Sequence, residues 1–313
     1  MKGIEISKKY YEQEAKPILE RDFADILPHI AIALCGSGSE CLGFDDEISR
    51  DHDFEPGFCI FIPDEDVIDR KVAFRLERFY AKLPKEFMGL KRSMMSPVGG
   101  NRHGVIRLSD FLSEKIGTPD GNLSIEAWLN IPEYSLLEVT NGEVFFDKDG
   151  TFTKIREHLS KMPADVVKKR LAGNLLIMAQ AGQYNYTRCI KHGEKAAAQM
   201  AVFEFVNAAI NVCFLLNGKY RPFYKWCFRS LKELKVLNEF SDTFEYLITT
   251  ENDDATAETK YEIIEDVAMR IISELQERSL SDAICGDLEK HAYSVNDKIE
   301  DSTIRNLHIM YCV

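Results

Sequence analysis

Two short patterns near the N-terminus hold the residues whose types and spacing could carry out chemistry. The stretch GSGS at 36–39 follows an apolar run, and thirteen residues separate Ser37 from the triplet Asp51-His52-Asp53. On a strand the side chains at i and i+2 share a face, so Asp51 and Asp53 are expected to point one way and His52 the other. Two carboxylates that close repel each other unless a cation lies between them, and hard oxygen ligands suit Mg²⁺ or Mn²⁺.

The GSGS turn supplies groups of the complementary kind. Its backbone N–H groups and hydroxyls suit phosphate oxygens, so Gly36, Ser37 and Ser39 are candidate nucleotide-binding residues. A phosphate cradle beside two metal-binding carboxylates makes a phosphoryl- or nucleotidyl-transfer site. Each pattern alone is weak, because Gly/Ser turns are common and the chain has 51 acidic residues. Their order and spacing between two apolar runs favour the functional interpretation.

Three basic residues further along the chain are candidates for contacts with a nucleotide. Arg188 and Lys191 are three residues apart and share a face of a predicted helix, where a solvated basic surface is an equally good interpretation. Lys225 lies in the segment NGKYRPFYKW, whose aromatic residues are more typical of packing against a helical bundle.

The composition argues against several classes of protein. A chain of 313 residues with 45% apolar residues can bury a core, and its formal net charge of −12 offers no basic footprint for a long nucleic acid or an anionic membrane. The eight cysteines include no CxxC pair, and several lie in apolar runs, which indicates buried thiols in a reducing compartment. The charged N-terminal stretch is unlike a signal peptide, and no uninterrupted apolar run reaches about 18 residues. We therefore expect a cytoplasmic protein.

The elements that must position the candidate residues follow from hydrophobic periodicity. A helix over 8–28 precedes two apolar strands, HIAIALCG and GFCIFIP, which flank the candidate site. A helix over 64–83, capped by Asp64, and a strand at VIRLSDFL come next. Two helices between 124 and 139, separated at Pro132, then lead to a strand in NGEVFFDKDG.

Helical patterns dominate from about residue 152. The stretch AVFEFVNAAINVCFLLN is apolar nearly all round, which is typical of the central helix of a bundle. The predicted helices are 152–161, 164–181, 184–192, 194–216, 220–236 and 261–278. The polar stretch 241–260 is predicted to be a loop. The sequence thus predicts an α+β chain with an α/β domain over 1–150 and a helical bundle over 151–313.

The stretch GSGSECLGFDDEISRDHDFEPGFCIF resembles the nucleotidyltransferase superfamily, which has the DNA polymerase β-like fold. The signature of that superfamily is a Gly-Ser pair after the first strand and an Asp-x-Asp on the second. The longer context is similar to an uncharacterised bacterial branch known only as a domain of unknown function, in which segments like WLNIPEYSLLEVTNGEVFFDKDG and FLLNGKYRPFYKW recur. The resemblance implies a nucleotidyltransferase-like mixed sheet with helices, followed by the helical bundle.

The resemblance also implies an activity. The expected reaction moves a nucleoside monophosphate from a nucleoside triphosphate, such as ATP, to a hydroxyl of a small molecule or a protein. Gly36 and Ser37 would hold the triphosphate, and Asp51 and Asp53 would hold Mg²⁺ or Mn²⁺ as the cofactor.

The sequence departs from the superfamily at the third carboxylate, which is usually supplied by a later strand. The strand VIRL carries no acid, so Asp110 just after it is the candidate, although an aspartate there is equally suited to cap a helix. Glu126 and Glu138 are the alternatives. A catalytically degenerate module that binds a nucleotide or a partner is therefore the second hypothesis.

Overall fold

The fold is that of a computed structural model, which describes residues 1–48, 55–92 and 103–313. Within these residues the chain divides into two compact units, each with its own apolar core. The sheet unit consists of Met1–Leu123 and Ile131–Lys161, and the helical unit consists of Ser124–Asn130 and Met162–Val313.

A four-stranded mixed sheet organises the sheet unit. Its strands are β1 (Ala31–Leu34), β2 (Cys59–Ile62), β5 (Gly104–Arg107) and β6 (Glu143–Asp147), and a separate hairpin joins β3 (Glu86–Phe87) to β4 (Leu90–Lys91). The spatial order is β5-β2-β1-β6, with β1 antiparallel to both neighbours and β2 parallel to β5. All residues of β1 and β2 are buried, as expected of central strands written as continuous apolar runs. The two predicted apolar strands are confirmed.

Helices cover the sheet and make up the second unit. Those of the sheet unit are α1 (Gly3–Tyr10), α2 (Lys16–Asp22), α3 (Ser39–Leu42), α4 (Arg70–Lys82), α5 (Leu108–Ile116), α7 (Glu133–Thr140) and α8 (Thr151–Leu159). Those of the helical unit are α6 (Ile125–Asn130), α9 (Ala164–Met178), α10 (Thr187–Lys191), α11 (Lys195–Leu216), α12 (Tyr224–Leu231), α13 (Phe240–Thr249), α14 (Ala257–Glu277), α15 (Leu288–Asp297) and α16 (Ser302–Asn306). The coarse expectation of an α+β chain with a helical C-terminal region is confirmed.

The two units differ from the predicted division at residue 150 in two places. Helix α8 belongs to the sheet unit, because Phe152 packs its ring 4.6 Å from that of Phe61 on β2. Helix α6 belongs to the helical unit, where the Arg170 guanidinium donates hydrogen bonds to the carbonyls of Trp128 and Leu129.

Side-chain caps and buried apolar residues explain where other elements differ from the prediction. Helix α4 begins six residues later than predicted, because the Asp69 carboxylate, rather than that of Asp64, accepts a hydrogen bond from the Val72 N–H at 2.8 Å. The stretch predicted as a loop over 241–260 contains most of α13, in which Phe244 and Leu247 are fully buried.

The N-terminal helical stretch begins at Gly3, five residues earlier than predicted, and is less regular than predicted. It ends at Asp22 rather than at Pro28, and a π-helical turn over Tyr11–Ala15 joins α1 to α2. Pro28 lies in a short 3₁₀ turn, Leu27–His29, that leads into β1.

Helix α11 is the central helix of the helical unit, as the sequence predicts. Ala198, Val202, Phe205, Ala209 and Val212 on this helix are all fully buried. By length and composition α11 could cross a membrane, but 67% of its most apolar stretch is buried inside the unit. This burial makes α11 a core helix of the unit.

Gly142, between α7 and β6, allows a close approach of two backbone segments. Its φ is +67°, and a Cβ atom there would lie 1.8 Å from the carbonyl oxygen of Leu34 at the end of β1. We expect Gly142→Ala to lower the free energy of unfolding by about 3 kcal/mol or more, because left-handed backbone strain adds to a clash with main chain. Urea denaturation followed by circular dichroism measures the loss.

Gly150→Ala provides the matched control for backbone conformation alone. Gly150 has a φ of +69°, and the nearest atom to a Cβ there would be Cε of Lys154 at 3.7 Å. This variant should lose only about 1 kcal/mol. Equal losses in the two variants would contradict the steric explanation.

Candidate functional site

A cavity of about 600 Å³ opens in the sheet unit beside the end of β1. Its wall includes Gly36, Ser37 and Gly38 of the turn that follows β1, together with Cys59 of β2 and Val105 of β5. Helices α3, α4 and α5 supply further parts of the wall. A cavity of this size suits a small-molecule ligand such as a nucleotide.

The Gly/Ser turn is held by one side-chain amide from a distant part of the chain. Gly36 has a φ of +127°, which only glycine adopts readily. Its N–H donates to Oδ1 of Asn141 at 2.9 Å, and Nδ2 of Asn141 donates to the Gly36 carbonyl at 2.7 Å. Asn141 therefore pairs with both backbone groups of Gly36.

Arg156 on α8 also stabilises the segment that carries Asn141. Its guanidinium donates hydrogen bonds to the carbonyls of Thr140 and Asn141 at the end of α7. Burial lowers the pKa of Arg156 from its usual range. The N–H of Gly142 also donates to the Cys41 carbonyl at 2.9 Å. Sequence reasoning predicted only a turn at Asn141-Gly142 and missed this brace, because no local pattern links it to the Gly/Ser turn.

The structure brings the predicted phosphate-binding residues to the cavity or next to it. Ser37 is exposed on the cavity wall, and Ser39 is the half-buried first residue of α3. Between them, Gly38 leaves room for Glu40, because a Cβ on Gly38 would lie 2.0 Å from Oε1 of that buried side chain. The turn thus presents a hydroxyl beside a buried carboxylate.

Asp51, His52 and Asp53 lie outside the described residues, so their roles stay predictions. Within the described ranges, no group of three His, Cys, Asp or Glu side chains is placed to hold a metal ion.

The later strand β5 carries no carboxylate. Its last residue, Arg107, donates hydrogen bonds to the carbonyls of Pro63 (2.6 Å) and Ile68 (3.3 Å). Asp110 is exposed on the cavity wall in the first turn of α5, whose N-cap position is occupied by Arg107. Asp110 is therefore not a helix cap, and it stays the candidate third carboxylate.

Glu126 and Glu138, the two alternatives to Asp110 as the third carboxylate, lie in different environments. Glu138 on α7 pairs with Lys115 at 2.9 Å. Burial by itself would lower the pKa of Lys115, but the hydrogen bond and charge of Glu138 outweigh it and raise that pKa. Glu126 lies on α6 of the helical unit.

An imidazole–carboxylate pair that sequence reasoning missed also lies at the cavity. His103 immediately precedes β5 and lines the wall, and its Nδ1 is 3.4 Å from Oε1 of Glu55. The ring lies over Gly57, where a Cβ would come within 2.3 Å of Nδ1. His103 lies near the end of the stretch SPVGGNRHG, which carries no pattern typical of a catalytic residue and of which 96–102 lie outside the described residues.

Carboxylates outnumber cations on the cavity wall. The acidic side chains are Glu40, Glu65, Glu77, Asp110 and Glu114, and the basic ones are Arg70, Arg107 and Lys115. Part of the basic charge is already compensated, since Nε of Arg70 is 2.8 Å from Oε1 of Glu65. The wall by itself therefore does not favour a bare polyanion.

The remaining predicted site residues lie in the helical unit. Arg188 on α10 places its guanidinium 5.0 Å from the ring centre of Tyr184, and Lys191 ends the same helix with an exposed side chain. Lys225 on α12 lies over the Trp226 ring at 5.0 Å. Their contacts with a nucleotide stay predictions.

Comparison with known proteins gives one match. The model of a domain of unknown function, DUF4037, matches residues 128–227, about a third of the chain. Both segments that carried the resemblance to such a domain, at 128–150 and 214–226, fall inside this range. No curated protein and no solved structure matches the chain. The comparisons thus agree with a domain of unknown function, and the match includes Asn141 and Arg156 but not the Gly/Ser turn.

The cysteines of the cavity wall are expected to be chemically inert. Burial raises the pKa of Cys35 to about 12 and raises those of Cys41 and Cys59 well above the ordinary value of 9.0. At pH 8 the thiolate fraction of Cys35 should be about one in ten thousand. Iodoacetamide followed by mass spectrometry should therefore modify the exposed Cys285 in the native protein and leave these three unmodified.

All eight cysteines should react once urea unfolds the chain. Because the unfolded thiols lose their protons near pH 9 and the folded ones do not, stability should also fall as the pH rises from about 9 toward 12. Rapid native alkylation of Cys35 or Cys59 would contradict their burial.

Proposed function

We propose that the sheet unit is a metal-dependent nucleotidyltransferase that moves a nucleoside monophosphate from a nucleoside triphosphate to a small-molecule or protein hydroxyl. The observation that carries the proposal is the braced Gly/Ser turn, which forms the wall of a nucleotide-sized cavity at the end of β1. Helix, strand, Gly/Ser turn and second strand follow one another in the order that the superfamily resemblance implies. Glu55, two residues after Asp53 in the sequence, pairs with His103 on the same wall.

In this proposal, residues of the chain bind the nucleotide, orient it and accept a proton. Ser37 and the backbone of the turn hold phosphate oxygens. The two hydrogen bonds between Asn141 and Gly36 keep the turn rigid both with and without a bound nucleotide. Mg²⁺ or Mn²⁺ on Asp51 and Asp53 would neutralise the charge of the triphosphate. The acidic majority on the wall supports this dependence on a cation, because carboxylates repel a free triphosphate.

The acceptor hydroxyl must lose a proton, and two groups on the wall can take it. Asp110 is the acid predicted from the sequence. His103 is the better candidate, since imidazoles are the most common general bases in proteins and Glu55 lies where it can orient Nδ1–H and stabilise the imidazolium. The proton of the acceptor goes to Nε2 of His103, the acceptor oxygen bonds to the α-phosphorus, and pyrophosphate leaves.

The second hypothesis, a module that binds nucleotide without turnover, rests on β5. The position that should supply a carboxylate is occupied by Arg107, whose guanidinium is bound to the Pro63 and Ile68 carbonyls. Binding and turnover therefore need separate measurements.

Binding is tested by thermal melting with ATP, GTP, CTP and UTP, each with and without Mg²⁺. A nucleotide at a hundredfold excess over its dissociation constant should stabilise the folded state by about 2.7 kcal/mol. The shift should require Mg²⁺ and disappear in the double variant Asp51→Asn/Asp53→Asn, which keeps the side-chain volumes and removes two charges.

The matched control is Glu47→Gln/Asp66→Asn, which removes two exposed acids elsewhere in the sheet unit. It should retain the full shift. An unchanged shift in the Asp51/Asp53 variant would reject the proposed metal site, and no shift with any nucleotide would reject both hypotheses in their nucleotide-binding form.

Turnover is tested with His103→Gln. Pyrophosphate release in the presence of a heat-inactivated cell extract, which serves as the source of both small-molecule and protein acceptors, should fall by about 10²–10⁴-fold while the nucleotide-dependent melting shift persists. His29→Gln is the control, because His29 also pairs with a carboxylate, Asp149 at 2.9 Å, but is not on the cavity wall. Equal activity in both variants would remove His103 from the mechanism, and nucleotide binding without any pyrophosphate release in the unmodified protein would favour the binding module.

A further inference from the structure

The segment 219–235 of the helical unit has a charge opposite to that of the chain. It contains six lysines and arginines and one acid, Glu233, which gives a formal charge of +5 in a chain of −12. A local reversal of this size concentrates positive potential on one surface. The proposed nucleotidyl transfer in the sheet unit does not account for it.

Helix α12 arranges part of this charge in a stripe. Lys225, Arg229 and Lys232 recur at i, i+4 and i+7, so they share one face, and all three side chains are exposed. The opposite face is buried in the unit through Cys227 and Leu231. Lys232 has an acid nearby, Asp242 at 3.2 Å, but that pair is solvent-exposed and weak enough to exchange for another anion.

Two aromatic rings stand at the N-terminal end of the stripe. The rings of Phe223 and Tyr224 are 4.4 Å apart, with 50% of the first residue and 74% of the second exposed. Together the two adjacent rings form a small exposed aromatic surface beside the cations. We call Phe223, Tyr224, Lys225, Arg229 and Lys232 the aromatic–basic ridge.

We propose that the aromatic–basic ridge binds a short single-stranded nucleic acid. Exposed rings beside a row of cations are the combination that single strands need, because unpaired bases stack on the rings while phosphates follow the cations. A duplex hides the faces of its bases, so it gains only the phosphate contacts. An anionic membrane fits less well, since α12 has its apolar face inside the unit and could insert little beyond the two rings.

The length of the ridge limits how many phosphates of a ligand it can contact. Three cations spread over about two turns of helix can neutralise about three phosphates, which suits a strand end or a loop rather than a long polymer. The overall charge of −12 works against longer contacts. This surface is therefore compatible with a protein that does not bind long nucleic acids.

The proposal is tested by fluorescence anisotropy with a labelled single-stranded 12-mer of uridine. Neither nucleoside triphosphate nor metal is added. The logarithm of the binding constant should fall with the logarithm of salt concentration with a slope of about −2, as expected for three phosphate contacts on a single strand. The variant Lys225→Gln/Arg229→Gln/Lys232→Gln should bind at least tenfold more weakly and lose most of that slope. Tyr224→Ala should weaken binding about fivefold or more, with the slope unchanged.

The control variant Lys82→Gln/Lys85→Gln/Lys290→Gln removes the same charge from exposed positions outside the ridge and should bind as the unmodified protein does. The proposal is overturned by no binding at low salt, by equal weakening in the control, or by a duplex 12-mer that binds as well as the single strand. Binding to phosphatidylserine vesicles without binding to the oligonucleotide would assign the ridge to membranes instead. Because no triphosphate is present, none of these outcomes bears on the proposed transferase reaction.

Discussion

The pairing of the Asn141 side chain with the backbone of Gly36 is the interaction on which the candidate site depends. A glycine at a φ of +127° has few conformational restraints of its own, and the amide of Asn141 satisfies both its N–H and its carbonyl. Since the two residues are 105 positions apart, the shape of the turn is a property of the folded unit. Arg156 extends the arrangement by holding the carbonyl of Asn141 from a third element. Loss of any one of these partners would leave a polar group unsatisfied in a partly buried place.

The hydrogen bonds of Asn141 and Arg156 fix the turn, and the turn forms part of the cavity wall. The turn presents Ser37 toward a wall on which carboxylates outnumber cations, and Arg70 on that wall is already paired with Glu65. Carboxylates on such a wall repel a bare polyanion. The His103–Glu55 pair places an imidazole, which can donate or accept a proton, next to β5, a strand without a carboxylate. The wall therefore combines a serine, several carboxylates and an imidazole at one cavity.

The helical unit uses buried cations for a different purpose. Lys260 is fully buried on α14, and its ammonium donates to Oδ1 of Asn252, Oε1 of Gln199 and the Thr250 carbonyl. Burial lowers the pKa of this lysine, and its partners are neutral acceptors that tie three segments together. Lys260 is therefore structural, whereas Lys225 and Lys232 of the aromatic–basic ridge are exposed. In this unit, buried lysine charge thus connects chain segments, and other lysine charge lies exposed on the surface.

The sequence alone was enough to predict the elements whose patterns are local. Continuous apolar runs predicted β1 and β2, an apolar 17-residue stretch predicted the centre of α11, and Pro132 marked the break between α6 and α7. The candidate turn at 36–39 was also visible, because glycine and serine have strong local preferences. Start positions were less accurate where two acids compete, as Asp64 and Asp69 do for the cap of α4, since the choice depends on which carboxylate the fold brings to the helix end.

Only the tertiary structure decided which distant residues complete the site. Nothing in the neighbourhood of Asn141, Arg156 or His103 in the sequence distinguishes them from an ordinary turn, helix or loop residue. Their roles arise because the pairing of β1 with β6, and of β2 with β5, brings chain segments about 50 to 110 residues apart into hydrogen-bonding distance. Local preferences are encoded residue by residue and can be read from a window of sequence, whereas a contact between distant segments exists only after the chain has paid the entropy of bringing them together.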